Sequence, residues 1–292
     1  MTKRIKDSSE NRMHVGFQTI SFGPVLEEHG RPMLKHIKDI GYEGVEIAQS
    51  LDQFGSPDEF YGLLSNLGLK LLGFSGGSIS DRINFARDMV EAEDQAELKI
   101  AREGAKSGKL FTTTRFVRFE PGVKTFPYIY VHNWDDKLSP EFMDEFTLAL
   151  HTHMFSPIQT AREVEVLLTK YPKLFFLPDT AHLTVAGEDV IKVLRENYER
   201  IIAIHLKDWV AEFGRSYQFY ARGFGVPFGE GDVNLREIME FLMYPDPKNS
   251  GKINQKKHKP YDRWIIVEQD KVDNPVTAAR HCRQWLKAEY GI

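Results

Sequence analysis

The chain has 292 residues, and its 38 basic and 42 acidic side chains give a formal net charge of −4. This balance provides no general attraction to nucleic acid or to an anionic membrane. No apolar run approaches the ~18 residues of a membrane span, and a lone cysteine, Cys282, excludes a disulfide framework and a cysteine-rich metal site. We therefore expect a cytoplasmic globular protein with one domain over residues 1–292 and a flexible N-terminus at 1–12, and leave a homo-oligomer open.

Short apolar strands alternate with amphipathic helices along most of the chain. The predicted strands are residues 14–19, 44–48, 69–74, 146–150, 173–177, 200–206 and 262–267. The predicted helices are residues 31–41, 56–68, 160–168, 188–198, 234–242 and 274–290. Strand starts recur at intervals of roughly 25–30 residues, which is typical of βα units rather than hairpins. Seven units are readable, and eight in a chain of this length form a closed barrel, so we predict an α/β fold of the (β/α)8 type.

The fourth unit is irregular. Residues 107–134 are crowded with aromatic side chains, and the sequence places no strand among them. One interpretation is an apolar flap over the site or a subunit contact. The other is a core strand with its flanking loop, which is at least as common for such a segment.

Histidines and acidic residues follow four consecutive predicted strands. With the irregular fourth unit counted, strands five to eight are residues 146–150, 173–177, 200–206 and 262–267. The relevant side chains at their ends are His151 and His153 for strand five, Asp179 and His182 for strand six, His205 and Lys207 for strand seven, and Glu268 for strand eight. Each has an ordinary explanation, such as a helix cap for Asp179. Their recurrence at one end of successive strands favours a shared site, since barrel enzymes carry their chemistry there. Mixed imidazole and carboxylate donors predict one divalent ion, with Mn²⁺, Co²⁺ or Zn²⁺ favoured over Mg²⁺.

Several segments resemble the xylose-isomerase-like barrels, a family of sugar isomerases and epimerases that also contains inosose dehydratase and endonuclease four. The strongest segments are Gly41-Tyr-Glu-Gly-Val-Glu46, Asp179-Thr-Ala-His182, Ile201-Ile-Ala-Ile-His-Leu-Lys-Asp208, Gly229-Glu-Gly-Asp232 and Trp264-Ile-Ile-Val-Glu-Gln-Asp270. The resemblance covers most of the chain and is weakest over residues 107–134.

The resemblance implies a set of metal ligands, one from the end of each of strands five to eight. Carried over by position, these ligands are His151 or His153, then Asp179, His205 and Glu268. His151 is favoured over His153 because it follows the alternation of strand five and stands where the family epimerases usually have Glu. His153 is then assigned to the substrate. The resemblance also implies substrate contacts for His182 and Lys207 and a pocket-wall position for Glu46.

The function that this resemblance implies is a metal-dependent isomerase or epimerase of a sugar or cyclic polyol. Glu268 would move a proton next to a carbonyl, through an enediolate that the metal stabilises, and Lys207 or His182 would act as the acid. An inosose-dehydratase type of lyase is the alternative, because strand five reads His-Thr-His-Met. Less favoured are a non-catalytic sugar-binding subunit and a repair enzyme like endonuclease four, against which the negative charge argues.

A glycine-rich segment, residues 223–231, lies between strands seven and eight. It neither follows a strand directly nor opens a phosphate-binding helix, so a nucleotide loop is disfavoured. We predict a loop that covers the substrate, with Arg222 beside it to contact a substrate oxygen.

Overall fold

The computed structural model describes residues 12–23, 27–49, 51–75, 84, 88, 128–131, 148–154, 156–213, 220–244 and 260–292. Eight parallel strands lie within these ranges. They are β1 (His14–Gln18), β2 (Gly44–Ile47), β3 (Lys70–Phe74), β4 (Tyr128–Val131), β5 (Leu148–His151), β6 (Phe175–Leu177), β7 (Ala203–Leu206) and β8 (Trp264–Val267). Neighbours follow the order β6-β5-β4-β3-β2-β1-β8-β7.

The two outer strands of that order, β6 and β7, also meet. The amide of Ile202 donates to the carbonyl of Phe176 at 2.9 Å, and the amide of His205 donates to the carbonyl of Pro178 at 2.9 Å. These parallel bridges join the sheet to itself, so every strand has two neighbours. The predicted (β/α)8 barrel is confirmed.

Helices of different lengths lie in the connections between the strands and after β8. They are α1 (Glu27–Ile40), α2 (Pro57–Leu67), α3 (Ala161–Lys170), α4 (Thr180–Val185), α5 (Val190–Glu196), α6 (Tyr220–Gly223), α7 (Leu235–Met243) and α8 (Pro275–Tyr290). The helix start and stop signals predicted from the sequence are present at α2. This helix begins with a reciprocal Ser56–Glu59 capping box and ends at Gly68, which has the left-handed conformation. Helices α4 and α6 were not predicted. No helix in the described ranges is both long and apolar enough to cross a bilayer.

The strand that the sequence could not place is β4. Its residues pair with Gly73 and Phe74 of β3 on one side and with Leu148 to Leu150 of β5 on the other. Of the two interpretations of the aromatic segment, the core strand therefore holds for residues 128–131. The rest of residues 107–134 lies outside the described residues, as do residues 1–11 of the predicted flexible N-terminus.

Alternation along the strands places the site residues inside the barrel. The interior holds a buried cluster made of Leu72, Ala149, Leu177, Ile202, Ala203, Trp264 and Ile266. Successive side chains of a strand point to opposite faces, so a residue two positions later points inward again, nearer the carboxyl end. His151, Asp179, His205 and Glu268 each stand two positions after a member of this cluster. The packing of this apolar cluster thus fixes the position of these four polar side chains, which we call the polar ring.

Leu72 fills the barrel interior opposite two glycines. A Cβ on Gly16 would lie 2.2 Å from Leu72 Cδ1, and a Cβ on Gly44 would lie 2.7 Å from Leu72 Cδ2. Both distances are far inside van der Waals contact, so glycine at these positions of β1 and β2 is what leaves room for the leucine. Leu72 itself is fully buried.

We expect Leu72→Ala to destabilise the barrel by about 2–5 kcal/mol, because it removes buried methyl groups and leaves a cavity that the strands cannot close. Val166→Ala, on the exposed side of α3, is the control and should change the free energy of unfolding by less than about 0.5 kcal/mol. Urea denaturation followed by circular dichroism measures both. Equal stability of the two variants would contradict this account of the interior.

Candidate metal centre

His205 lies fully buried between two carboxylates. Its Nε2 is 2.9 Å from Oε2 of Glu46, and its Nδ1 contacts Oε2 of Glu268. Burial alone would lower the pKa of His205, but the two carboxylates outweigh burial and raise this pKa to about 10. The two carboxylates therefore favour an imidazole that is protonated on both nitrogens. The Nδ1 proton stands between two atoms that could both ligate a cation, while Glu46 orients the ring from the far side.

The two oxygens of Asp179 have different surroundings. Oδ1 caps α4 by accepting hydrogen bonds from the amides of Ala181 (2.8 Å) and His182 (2.9 Å). Oδ2 is buried and has no hydrogen-bond partner among the described residues, and Lys207 Nζ lies 3.8 Å away. Burial, reinforced by Glu268, raises the pKa of Asp179 to about 7. The ordinary explanation of a helix cap thus accounts for one oxygen and leaves the other for a ligand.

Two overlapping groups of side chains have the spacing of metal ligands. Asp179, His205 and Glu268 form one, and Asp179, His151 and His182 form the other. Within each group the ligand atoms lie within 4.8 Å of one another, and all five side chains are buried. His153 is in neither group. The four ligands expected from the sequence are therefore among these five side chains, and Asp179 belongs to both groups.

The charges in the site fit a divalent cation. Four carboxylates, those of Glu46, Asp179, Glu268 and Asp270, face only the two positive groups Lys207 and His205 in this part of the described structure. An uncompensated buried carboxylate is costly, and a bound cation offsets that cost. The donor set of two imidazoles and two carboxylates suits Mn²⁺, Co²⁺ or Zn²⁺. The residues present therefore fit the metal that the resemblance implies.

Hydrogen bonds to the backbone distinguish the histidines. Nδ1 of His151 is 3.2 Å from the carbonyl of Leu177, which can only accept, so Nδ1 is the donor in this contact and Nε2 is the nitrogen that would bind a cation. His182 has the opposite arrangement, since its Nδ1 accepts from the amide of Met154 at 3.3 Å and its Nε2 carries the proton. His151 is therefore suited to bind a cation through Nε2, and His182 is suited to donate a hydrogen bond.

Lys207 lies among three carboxylates. Its Nζ is 3.0 Å from Oε1 of Glu268, 2.5 Å from Oδ1 of Asp270 and 3.8 Å from Oδ2 of Asp179. These charges overcome the effect of burial and raise the pKa of Lys207. Lys207 and His205 together overcome burial at Glu268 and hold the pKa of that carboxyl well below its usual value. The lysine is thus a cation and Glu268 a carboxylate at neutral pH.

His153 and Arg222, both expected to contact substrate, lie differently. The ring of His153 lies against that of His182, with centroids 4.1 Å apart and planes tilted by 39°, and His153 belongs to neither ligand group. The side chain of Arg222 is exposed on α6, and its backbone carbonyl accepts a hydrogen bond from the amide of Gly225 at 3.1 Å. The described structure gives no contact between Arg222 and the ligand groups, so its contact with a substrate oxygen stays a prediction.

Sequence reasoning missed two polar residues near this site, the partly buried Asp270 and the buried Gln18. Asp270 pairs with Lys207, and its signal was its position two residues after Glu268 on the same extended segment. Gln18 ends β1 between the strands of Glu46 and Glu268, and its Nε2 donates to Oγ of Ser75 at 3.1 Å. Its signal was its place at a strand end, which the neighbouring apolar residues obscured.

The barrel is closed and parallel, and buried histidines and carboxylates lie at the carboxyl ends of its strands. These features define an α/β-barrel protein with a candidate metal site. The chain belongs to the xylose isomerase-like TIM barrel family, whose profile matches residues 34–246. The resemblance inferred from the sequence segments is thereby confirmed.

Three known proteins show what this chain is similar to. Inosose dehydratase of Clostridium perfringens is 30% identical over 159 residues, which are 50% of this chain and 48% of that enzyme. The chain thus spans about half the length of the curated relatives it matches. The structure of an L-ribulose 3-epimerase superposes with a TM-score of 0.60 at 12% identity, over 94% of each chain. A barrel of this family from Mycobacterium smegmatis, in complex with magnesium, superposes with a TM-score of 0.51 at 13% identity, covering 95% of this chain and 96% of that chain.

We expect about one divalent ion per chain, and we expect Asp179→Ala to lose it, with an affinity lower by on the order of 100-fold. Asp189→Ala is a matched control, because Asp189 also caps a helix, α5, through one oxygen but lies outside the ligand groups. Elemental analysis after dialysis against Mn²⁺ measures the content, and calorimetry the affinity. Equal binding by Asp179→Ala and wild type would refute the site.

For the fourth ligand, we expect His151→Ala to weaken Mn²⁺ binding by about 10-fold or more, since it removes the Nε2 lone pair, and His153→Ala to leave binding within about twofold. The same titration compares the two variants. The assignment is wrong if only His153→Ala loses the metal.

Proposed function

We propose that this chain is a divalent-metal-dependent isomerase or epimerase that moves a proton on the carbon next to a carbonyl in a small sugar or cyclic polyol. The observation that carries the proposal is the carboxylate of Glu268, which is held ionised between Lys207 and the ligand His205. His151, Asp179, His205 and Glu268 would hold the metal. When bound, the metal supplies Lewis acidity, which polarises the carbonyl and acidifies the neighbouring C–H bond.

Each polar side chain of the site has a role in the proposed reaction. Glu268 accepts the proton from carbon on Oε1, the oxygen that lies 3.0 Å from Lys207, while Oε2 would hold the metal. Lys207 keeps its charge and donates to the substrate oxygen on which negative charge develops. His182 is neutral, because burial and Lys207 hold its pKa well below the usual value, and it donates from Nε2 to a substrate hydroxyl. His153, whose ring lies against that of His182, borders the same space.

The metal expected at this site is Mn²⁺, Co²⁺ or Zn²⁺. Two of the four ligands are imidazoles, which these ions accept more readily than Mg²⁺ does. The magnesium-bound relative from Mycobacterium smegmatis supports a divalent ion in this fold. Mg²⁺ is therefore included in any metal titration as the competing ion.

A dehydratase is the second candidate, and one observation favours it. β5 ends in an imidazole, His151, where epimerisation between two bases would call for a second carboxylate. Loss of water requires one base for the C–H proton and one donor for the departing hydroxyl, which Glu268 and Lys207 provide side by side. The similarity to inosose dehydratase supports the same reaction.

We expect Glu268→Gln to lower the exchange of a substrate C–H proton with deuterated water by about 10²-fold or more, because the amide keeps an oxygen for the metal but has no basicity. NMR measures exchange over a panel of keto-sugars, epimeric ketohexoses and inososes with Mn²⁺-loaded protein. Glu43→Gln is the control, since Glu43 pairs with Arg12 and His14 at the opposite end of the barrel.

Exchange at equal rates by wild type and Glu268→Gln would remove Glu268 from the mechanism. If no compound in the panel exchanges, the proton-transfer function fails and a non-catalytic binding subunit is the better account. For an active compound, mass spectrometry separates the two candidates. An isomer or epimer keeps the substrate mass, whereas a dehydratase product is lighter by one water.

A further inference from the structure

The glycine-rich segment between β7 and β8 surrounds a carboxylate of the chain itself. Oδ2 of Asp208 accepts hydrogen bonds from the amides of Gly229 (3.0 Å) and Gly231 (3.1 Å). Oδ1 accepts from the amides of Trp209 (2.9 Å) and Val233 (3.2 Å). Four backbone amides thus converge on one carboxylate, the buried side chain of Asp208.

Gly231 is required for this approach. A Cβ at that position would lie 2.1 Å from Oδ1 of Asp208, a distance that no side chain tolerates. The glycines of the segment therefore allow its close contact with Asp208, in addition to allowing the chain to turn.

The start of the same segment is attached to the end of β8. The amide of Asp270 donates to the carbonyl of Phe224 at 3.2 Å, and Nε2 of Gln269 donates to the carbonyl of Val226 at 3.0 Å. Gly225 lies so close to Lys271 that a Cβ would be 1.9 Å from its carbonyl oxygen. The segment is thus attached at both ends to the strands that carry Lys207 and Glu268.

The attached segment brings one aromatic ring to the site. Phe224 is fully buried, with its ring centroid 4.8 Å from Nζ of Lys207 and 4.7 Å from the ring of His182. An ammonium over an aromatic face is attracted to it, and the ring also restricts where both side chains can move. Phe224 therefore contacts the two groups that the proposed mechanism uses as hydrogen-bond donors.

We propose that Asp208 is a positioning residue: its carboxylate fixes the segment 223–233 so that Phe224 holds Lys207 and His182 in their working positions. The proposal rests on the proposed function for the roles of Lys207 and His182. It gives the glycine-rich segment a role in positioning site residues, in addition to the role of covering the substrate that the sequence predicts.

We call the four backbone hydrogen bonds to the Asp208 carboxylate the anchor. Two variants disturb it, one at the carboxylate and one in the glycine-rich segment. Asp208→Asn replaces one accepting oxygen with an NH₂ group that faces backbone amides, and Gly231→Ala places a methyl group against Oδ1. Their matched controls are Asp232→Asn, whose Oδ2 accepts a single exposed amide, that of Ala211, and Gly62→Ala, where a Cβ meets open space. A third variant, Phe224→Leu, keeps the anchor and removes the aromatic ring.

Hydrogen exchange by mass spectrometry over residues 223–233 reports the anchor without any substrate. Asp208→Asn and Gly231→Ala should accelerate exchange there at least 10-fold and shift the NMR signals of the His182 ring as Phe224 moves. With an active substrate, both variants and Phe224→Leu should lower kcat/KM at least 10-fold, while Mn²⁺ affinity stays within twofold. The controls should match wild type in every measurement, and Phe224→Leu should leave the hydrogen exchange unchanged.

The proposal is overturned if both anchor variants leave hydrogen exchange unchanged, or if exchange accelerates while the His182 signals and kcat/KM stay at wild-type values. Should Asp208→Asn fail to fold, Gly231→Ala and Phe224→Leu decide the question. If wild type has no activity on any substrate, the proposed function fails on its own, and the exchange and NMR measurements still test the anchor.

Discussion

The site depends on one buried interaction, the imidazole of His205 between the carboxylates of Glu46 and Glu268. Both ring nitrogens face an acceptor, so the ring has one orientation and a strongly raised pKa. Removing the imidazole would leave two buried carboxylates without their partner, a change that costs several kcal/mol in comparable buried pairs. The same contact makes Nδ1 and Glu268 a ready pair of ligands, because a divalent cation can replace the proton between them.

Closure of the barrel and assembly of the site occur at the same place. β6 and β7 meet through isolated bridges, and one of these pairs Asp179 with His205. The amide of His205 is fixed by the carbonyl of Pro178, directly before Asp179. Two of the candidate ligands are thus aligned by the backbone contact that completes the sheet. A chain that failed to close the sheet here would lose the candidate metal centre along with the fold.

The barrel and the polar ring could be predicted from the sequence because both follow from local patterns. Strand and helix alternation gave the architecture, and His151, Asp179, His205 and Glu268 recur at strand ends two positions after an interior residue. β4 could not be placed, since aromatic side chains are spread over residues 107–134 and do not single out the four residues that form the strand.

Other features depend on contacts between distant residues and have no local signal. The tautomers of His151 and His182 are set by backbone groups of Leu177 and Met154, so the sequence alone could not separate ligand from donor. Helix α4 was missed because Asp179 was assigned to the metal, although one of its oxygens caps that helix. The glycine-rich segment was expected to cover the substrate, and nothing in its own composition indicates that it encloses a carboxylate.

The most direct test of the central claim is a crystal structure of the chain soaked with Mn²⁺, with the metal located by its anomalous scattering. The account predicts one peak about 2.0–2.3 Å from His151 Nε2, Asp179 Oδ2, His205 Nδ1 and Glu268 Oε2, with Glu46 still bonded to Nε2 of His205. A peak ligated by His182 or His153 in place of His151, or no peak among these side chains at saturating Mn²⁺, would contradict it.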